Sequence, residues 1–359
     1  MALTKVDPSV VNDQVIGRRN MIYNGKMQVC QRHGTGNTQV GWSNAAHFPA
    51  DRWKLTGSSL ANWAFTIGNR PDLTLPPGFG NAVLLECTTA DTSITQGEYI
   101  IFQQKFEGND LQHLAYGTSS AKEITLSFYV NSTSTGTYLA ELEQGSYING
   151  QLFTINQANT WERKTITFVG NTAASITNNN ALGLALSFWF AAGSTYQGGT
   201  FVSNTWRNSY ANNTRAAGIS NLASSTSNIL YITGVQLEVG DQATSFEHRS
   251  LAEELSLCQR YYWQDNLIMR DVVFTLYQAT TAYAGIWVTN SMRAAPTATS
   301  NLPNFFEKGG DRKSATSALN ILETHDSGYL RCQITNLTGA TQGSAGLAYF
   351  DYLKLDAEL

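Results

Sequence analysis

Short stretches in which apolar and polar residues alternate run through most of the chain between residues 21 and 247. Alternation with a period of two is typical of a β-strand with one face in a core and the other in water. Clusters of Gly, Asn, Ser and Thr separate these stretches, as turns between strands do. The pattern predicts an all-β sandwich of two sheets, either a jelly roll or an immunoglobulin-like fold. The predicted strands are 83–87, 99–104, 124–130, 137–142, 165–169, 182–188 and 229–237.

The period changes at residues 250–263, where the sequence predicts a short helix. Ser250 stands three residues before Glu253, which is the spacing of a capping box. Two interpretations fit the helix: it lies on the surface of its own domain, or it packs around a threefold axis between β domains. The helical repeat places four residues on one face, namely Leu251, Leu255, Cys258 and Tyr262.

The strand pattern returns after the helix and predicts a second, smaller β-sandwich. Its predicted strands are 272–277, 284–289, 328–334 and 347–355. The predicted organisation is an N-terminal arm (1–20), a jelly-roll domain (21–249), a short linking helix (250–263) and a C-terminal β domain (264–359).

Charge and cysteine content narrow the class of protein. Charged residues make up only 14% of the chain and the net charge is −4, so there is no basic surface of the kind that nucleic acids require. No apolar run is long enough for a membrane-spanning helix, and the first residues lack the apolar stretch of a signal peptide. We therefore expect folding in a cytoplasm, with no membrane insertion. The scattered cysteines predict buried free thiols: Cys30, Cys87, Cys258 and Cys332.

Motifs for catalysis and metal binding are missing from the sequence. The five histidines form no metal-binding motif, and no phosphate-binding or nucleophile motif occurs. Glu141 and Glu143 alternate on one predicted strand, and further carboxylates (Glu98, Glu107, Asp110) lie near another. Such carboxylates on an exposed strand are usually solvated, so we predict no enzyme, no cofactor and no metal.

Three loops are candidates for binding carbohydrate through aromatic faces and polar side chains. The first, in the long segment 193–228, contains Tyr196, Gln197, Trp206, Arg207, Asn208 and Tyr210. An alternative is that Trp206 and Tyr210 anchor this segment on its own sandwich or on a neighbouring subunit. The second candidate combines Trp42 with Asn44 and His47. The third is a predicted exposed tip in the C-terminal domain, with Phe305, Phe306, Lys308 and Arg312.

Several distinctive motifs follow one another along the chain. Residues 20–32 read NMIYNGKMQVCQR, and residues 51–53 read DRW. Residues 231–240 read YITGVQLEVG and continue through ATSFEHRS into the helix, and residues 292–297 read MRAAPT. Taken together and in this order, these motifs resemble those of a family of phage tail-fibre and virion structural proteins. Residues 1–6 resemble the anchoring start of tailspike and fibre proteins.

The resemblance implies a jelly roll similar to carbohydrate-binding modules, then a short helix and a C-terminal β domain, in a homotrimer. Sugar-binding modules of this kind often hold calcium near the opening segment. Here residues 24–28 contain no carboxylate and carry Lys26, so we predict no calcium there, although Asp51 or Glu238 could contribute elsewhere. For Asp51, Arg52 and Trp53 we expect a structural role, an ion pair beside a buried indole.

The expected function is that of a virion structural protein, a trimeric phage tail fibre that binds host-surface glycan during adsorption. Residues 1–20 would attach it to other tail or baseplate proteins, and the mature location would be the virion. The alternative is a head-fibre, decoration or tail adaptor protein that binds only other virion proteins.

Overall fold

The chain divides into two compact units, Met1–Arg249 and Ser250–Leu359. Both are built from antiparallel sheets, so the prediction of an all-β fold is confirmed. The structure is a computed structural model. It describes residues 18–32, 36–40, 47–58, 64–70, 74–208, 212–265, 269–288, 290–300, 304–307, 312–314, 319–325, 327–338, 341–350 and 352–359.

The first unit is a sandwich of two sheets. Its described strands are β1 (Gly36–Val40), β2 (His47–Ala50), β3 (Trp53–Ser58), β4 (Ala64–Asn69), β5 (Val83–Thr89), β6 (Tyr99–Glu107), β7 (Ile124–Ser132), β8 (Gly136–Gln144), β9 (Tyr147–Ile155), β10 (Glu162–Phe168), β11 (Leu182–Ala192), β12 (Arg207–Asn208) and β13 (Ile229–Val239). Sheet I has the order β1-β4-β5-β13-β7-β10, and sheet II has the order β12-β9-β8-β11-β6-β3-β2. The connections between these strands contain one short helix, α1 (Ser194–Gln197), and three 3-10 turns (Gly108–Leu114, Asn212–Thr214 and Leu222–Ser224).

One hydrophobic core fills the space between sheets I and II. Phe128 of sheet I meets Phe188 of sheet II with ring centroids 4.9 Å apart, and Trp53 stacks on Phe102 at 4.8 Å. All four side chains are almost completely buried. Because side chains alternate along a strand, the residues between them point to the outer faces of the sheets.

Each strand predicted in the first unit is present in the structure, as β5, β6, β7, β8, β10, β11 and β13. Strand β9 was not predicted, because Asn149, Gly150 and Gln151 interrupt its apolar alternation. The chain forms a strand there because β9 pairs with β8 along its whole length, which buries Asn149 and Gly150.

The second unit contains two further sheets. Its described strands are β14 (Tyr262–Asp265), β15 (Met269–Gln278), β16 (Thr281–Trp287), β17 (Thr297–Ser300), β18 (Asn304–Glu307), β19 (Arg312–Ser314), β20 (Asn320–Thr324), β21 (Tyr329–Ile334), β22 (Ala345–Phe350) and β23 (Leu353–Asp356). Sheet III has the order β14-β23-β17, and sheet IV has the order β19-β18-β22-β15-β16-β21-β20. The single strand predicted over 347–355 was wrong, because the chain leaves sheet IV after β22 and enters sheet III as β23.

The predicted helix is present as α2 (Leu251–Gln259), and the Ser250 Oγ accepts a hydrogen bond from the Glu253 backbone N–H at 3.2 Å. Placing Tyr262 on this helix was wrong. The helix ends at Gln259, and Tyr262 begins β14, where it pairs with Asp356. Of the other three residues predicted on one helix face, Cys258 is fully buried, Leu255 is half-buried and Leu251 is 58% exposed.

The four cysteines are free thiols, and three of them are buried, as predicted. Cys30 is the exception, because it is half-buried. Burial raises the pKa of the Cys87 thiol to about 11 and that of Cys332 to about 12.

Candidate functional site

The outer face of sheet II carries a row of polar and aromatic side chains. On β6, Ile100, Phe102 and Phe106 fill the core. Tyr99, Ile101, Gln103 and Lys105 therefore point outward. On β11 the same alternation turns Ala185, Ser187 and Trp189 to this outer face, next to the β6 row.

The described residues of the segment 193–223 cover one part of this outer face and leave the other part open. Its apolar residues form a second, smaller cluster on the sheet. The cluster combines Ile101, Leu139, Trp189 and Ala192 of the sheet with Tyr196, Phe201, Ala216 and Ile219 of the segment. The Ala216 backbone N–H donates to the Tyr196 carbonyl at 2.8 Å, which ties the two ends of the segment together.

A cleft of about 350 Å³ remains beside this segment. Its floor is the outer face of β3, β6 and β11, and its wall is formed by the segment and β8. The lining residues are Thr56, Tyr99, Ile101, Gln103, Lys105, Glu143, Leu182, Ala185, Ser187, Trp189, Tyr196 and Arg215. We call this feature the sheet II cleft.

An ion-pair network holds the cleft wall. The Arg215 Nε donates to the Glu141 Oε1 at 3.0 Å and to its Oε2 at 2.9 Å, and the Arg215 Nη2 donates to the Glu141 Oε1 at 2.6 Å. The same Nη2 also donates to Glu143. The Trp189 Nε1 donates to the Glu141 Oε1 at 3.2 Å. Glu141 is thus a buried anchor for the covering segment, and the expectation of a solvated carboxylate was wrong for this residue.

The Arg215 guanidinium and the carboxyl groups of Glu141 and Glu143 shift one another's pKa values because they are in direct contact. Burial lowers the pKa of the Arg215 guanidinium, but the charges of Glu141 and Glu143 outweigh it and leave that pKa above its ordinary value. Burial raises the pKa of the Glu141 carboxyl, whereas the Arg215 charge and hydrogen bonds lower it. Both effects depend on the pair staying together, because either group alone would be an uncompensated buried charge.

Three aromatic rings form a corner of the cleft. Tyr99 and Tyr196 meet edge to face at 5.7 Å and 89°. Trp189 lies 5.6 Å from Tyr99 and 5.3 Å from Tyr196. Trp189 is almost fully buried beneath Arg215, which lies 4.9 Å over its ring, while both tyrosines are half-buried. Tyr99 and Tyr196 therefore supply the aromatic surface that a ligand in the cleft could touch.

Of the predicted binding residues, Tyr196 lines the cleft. Trp206 instead anchors the segment on its own sandwich: its Nε1 donates to the Val169 carbonyl at 2.7 Å, and its ring meets Tyr116 edge to face at 5.8 Å. Arg207 and Asn208 form β12, which pairs with β9, and the Arg207 guanidinium donates to Thr214.

The other predicted candidates are described only in part. Tyr210, Trp42, Asn44 and Lys308 lie outside the described residues. His47 begins strand β2. Phe305, Phe306 and Arg312 lie on two paired strands, β18 and β19.

Four cleft residues were not predicted from the sequence, namely Tyr99, Gln103, Lys105 and Arg215. The polar positions of β6 alternate with core positions, and this pattern could have identified Gln103 and Lys105. Arg215 lies in a segment without periodicity, so its place against β8 carries no signal in the sequence.

Residues of the motifs 20–32 and 51–53 contact one another in the structure. The Asn24 side chain accepts from the Val29 N–H and donates to the carbonyls of Val29 and Asp51. Asp51 forms an ion pair with Arg32 at 3.7 Å, and the buried Trp53 donates to the Asn24 carbonyl at 3.1 Å.

The opening segment is also bonded to the end of the first unit. Arg249 donates to the carbonyls of Asn20 and Ile22, and the Asn20 Oδ1 accepts from the Leu237 N–H at 3.0 Å. Gly25 packs directly against Val235 of β13. Only glycine fits there, because a Cβ would lie 2.2 Å from the Val235 carbonyl oxygen. Among the motifs that carry the phage resemblance, residues 20–32, 51–53 and 231–240 thus bond to one another within the first unit, and none of them lines the sheet II cleft.

Within the described residues, no group of three His, Cys, Asp or Glu side chains is placed to hold a metal ion. Among the same residues, no helix has the length and apolar character needed to cross a membrane.

No protein-family model matches the sequence, and no curated protein matches it. Some solved structures are distantly similar to part of the chain. One is the enzymatically active domain of bacteriophage CBA120 tailspike protein 4 (12% identity, TM-score 0.29), where the match covers 52% of this chain and 19% of that chain.

Two further neighbours are smaller proteins. A family 11 carbohydrate-binding module of a Clostridium thermocellum cellulosomal cellulase has 11% identity and a TM-score of 0.27, covering 59% of this chain and 99% of that one. A cyclase from Fischerella sp. has 9% identity and a TM-score of 0.31, covering 64% of this chain and 100% of that one. These distantly similar structures include both enzymes and a binding module, so the similarity does not indicate a function.

Proposed function

We propose that this chain is a carbohydrate-binding protein without enzymatic activity, and that the sheet II cleft holds the sugar. The observation that carries the proposal is the lining itself. Two partly exposed tyrosine rings stand beside a row of hydroxyl, amide and ammonium groups from Thr56, Gln103, Lys105 and Ser187. Sugars present apolar C–H faces and many hydroxyls, which match aromatic faces and mixed donors and acceptors.

The size and rigidity of the cleft support this proposal. Ligand sites commonly enclose about 300–1,000 Å³, and the sheet II cleft lies at the lower end of that range. Its floor consists of paired strands and its wall is held by the Arg215 network, so little ordering would be needed when a ligand binds.

The state of the carboxylates supports a binding role over hydrolysis. A glycosidase needs two carboxyl groups that can donate and accept protons on either side of the scissile bond. Glu141 is buried and both Glu141 and Glu143 are bonded to Arg215, so this pair is committed to structure.

We further propose, from the motif resemblance, that the protein is a phage virion component, a tail fibre whose cleft binds a glycan of the host surface. Attachment through residues 1–20 and a homotrimeric state belong to this proposal. Three weak sites on one trimer would bind a cell surface far more tightly than a single site. The second candidate remains a virion protein that binds only other virion proteins.

The test is a screen of the purified full-length protein against an array of bacterial and plant glycans, followed by titration calorimetry with the strongest hit. Gln103→Ala and Lys105→Ala remove cleft-floor groups, and we expect each to weaken binding about tenfold, roughly the loss of one or two polar contacts. Gln157→Ala and Lys122→Ala, at exposed sites outside the cleft lining, are the matched controls and should leave affinity unchanged.

The tail-fibre role needs a separate test, in which the same variants are incubated with intact cells of candidate bacterial hosts and native mass is measured. Saturable adsorption by a trimer, reduced by Gln103→Ala, supports the fibre. A stable protein that binds neither the array nor any host would favour the candidate that contacts only virion proteins.

A further inference from the structure

Exposed apolar side chains in the second unit are concentrated on one face of sheet IV. The three most exposed large hydrophobic residues in the described chain are Trp287 at 67%, Tyr277 at 64% and Val273 at 61%. Val273 and Tyr277 alternate with the buried Phe274 and Leu276 on β15, so they point to the outer face. Trp287 points to the same face, because β16 pairs Tyr283 with Thr275 and Trp287 lies four residues further on.

This face contains a shallow pocket of about 690 Å³, separate from the sheet II cleft and formed by different residues. We call it the sheet IV pocket. Tyr277 and Tyr283 meet edge to face at 5.8 Å and form two sides of a corner. The complete lining is Thr275, Leu276, Tyr277, Tyr283, Arg331, Gln342 and Gly343.

Hydrogen bonds and a cation–π contact orient the polar side chains around Tyr283. The Arg331 guanidinium lies 5.3 Å over the Tyr283 ring and donates to the Glu323 Oε1 at 3.0 Å. The Gln333 Nε2 donates to the Tyr283 hydroxyl at 2.9 Å. Because Arg331 and Glu323 are paired, the charges at the pocket cancel, and a ligand needs hydroxyl groups more than charge.

A second aromatic surface lies further along β16. Trp287 and Tyr329 are cross-strand neighbours with centroids 5.1 Å apart. The Tyr329 ring lies over Gly285, and a Cβ at Gly285 would lie 2.4 Å from the Tyr329 Cε2 atom. Trp287 lies four positions after Tyr283, or about 13 Å further along the strand. One sugar ring cannot span that distance, whereas an oligosaccharide can.

We propose that the sheet IV pocket is a second carbohydrate site, which takes an uncharged oligosaccharide with one ring against Tyr277 and Tyr283 and its chain running toward Trp287. The hydroxyl group of Thr275, the amide of Gln342 and the guanidinium of Arg331 in the pocket lining fit a hydroxyl-rich ligand. This inference does not depend on ligand binding in the sheet II cleft, because the two sites share no residue.

The test uses the full-length protein on a glycan array, with titration calorimetry for each hit. Tyr277→Ala and Arg331→Ala should each weaken binding of at least one glycan about tenfold. Tyr277→Phe keeps the ring and should retain that binding. Val273→Ala trims the same exposed face outside the pocket lining and is the matched control. Native mass is recorded for every variant.

The variants also separate this site from the first. A glycan that Tyr277→Ala loses and Gln103→Ala retains is bound in the sheet IV pocket, whatever happens at the sheet II cleft. Unchanged binding of every glycan by folded Tyr277→Ala protein overturns the proposal. It is equally overturned if Tyr277→Ala and Val273→Ala both lower the native mass without affecting any glycan, since the face would then join copies of the chain.

Discussion

Replacing Arg215 with Met should destabilise the first unit far more than an ordinary surface change would. Arg215 makes three nitrogen–oxygen contacts of 2.6–3.0 Å with Glu141, whose side chain is only 1% exposed. Removing one partner of a buried pair leaves the other charge uncompensated and costs about 3–5 kcal/mol. We therefore expect a loss of that size in the free energy of unfolding at pH 7.

The pH dependence of this loss follows from the pKa of Glu141. Without Arg215, burial and the nearby Glu143 charge outweigh the Trp189 hydrogen bond and keep the folded-state pKa of that carboxyl above the unfolded-state value. A group of this kind costs nothing while it is protonated in both states. Its cost appears as the pH rises through the unfolded-state pKa and is complete above the folded-state pKa. The difference between variant and wild type should therefore be larger at pH 7 than at pH 4.

Urea unfolding followed by circular dichroism at both pH values measures these quantities. Glu143→Gln is the matched control, because Glu143 bonds the same guanidinium but its side chain is 39% exposed. Its loss should stay within about 1 kcal/mol, as for surface pairs. The reasoning is refuted if Arg215→Met costs no more than Glu143→Gln at pH 7, or if its cost is greater at pH 4.

Three further predictions concern other parts of the chain. Gly25→Ala should lower the melting temperature and cost about 1–3 kcal/mol through overpacking against Val235, whereas Gly97→Ala, with open space around it, should not; equal melting temperatures would contradict this. A disulfide reagent at pH 8 should modify Cys30 much faster than Cys87 or Cys332, whose burial raises the thiol pKa to about 11 and about 12; equal rates in the native protein would argue against that burial. Ser250→Ala should cost about 0.5–2 kcal/mol through loss of the helix cap, measured by thermal unfolding, and a neutral effect would mean that the cap contributes nothing.

Strands that carry clean alternation could be predicted from sequence, because one face of each lies in the core. Strand β9 could not, since it is held by pairing with β8 and buries Asn149 without an apolar pattern. The helix start was predictable from Ser250, whereas its end was not, because Tyr262 is drawn into β14 by pairing with β23.

The candidate site was harder to predict than the fold. Tyr196 was named from its aromatic and polar surroundings. The same reasoning offered Trp206 either as a ligand contact or as an anchor of the segment, and in the structure Trp206 bonds to the Val169 carbonyl. The cleft depends on where the segment 193–223 settles on sheet II. That position is fixed by the Arg215 contact with Glu141, two residues 74 positions apart in the chain.

The most direct test of the central claim is a crystal structure of the protein with the array glycan whose binding Gln103→Ala weakens most. The account predicts sugar in the sheet II cleft, with a ring against Tyr99 or Tyr196 and hydroxyls bonded to Gln103 or Lys105. Bound sugar on another surface with this cleft empty would contradict the account.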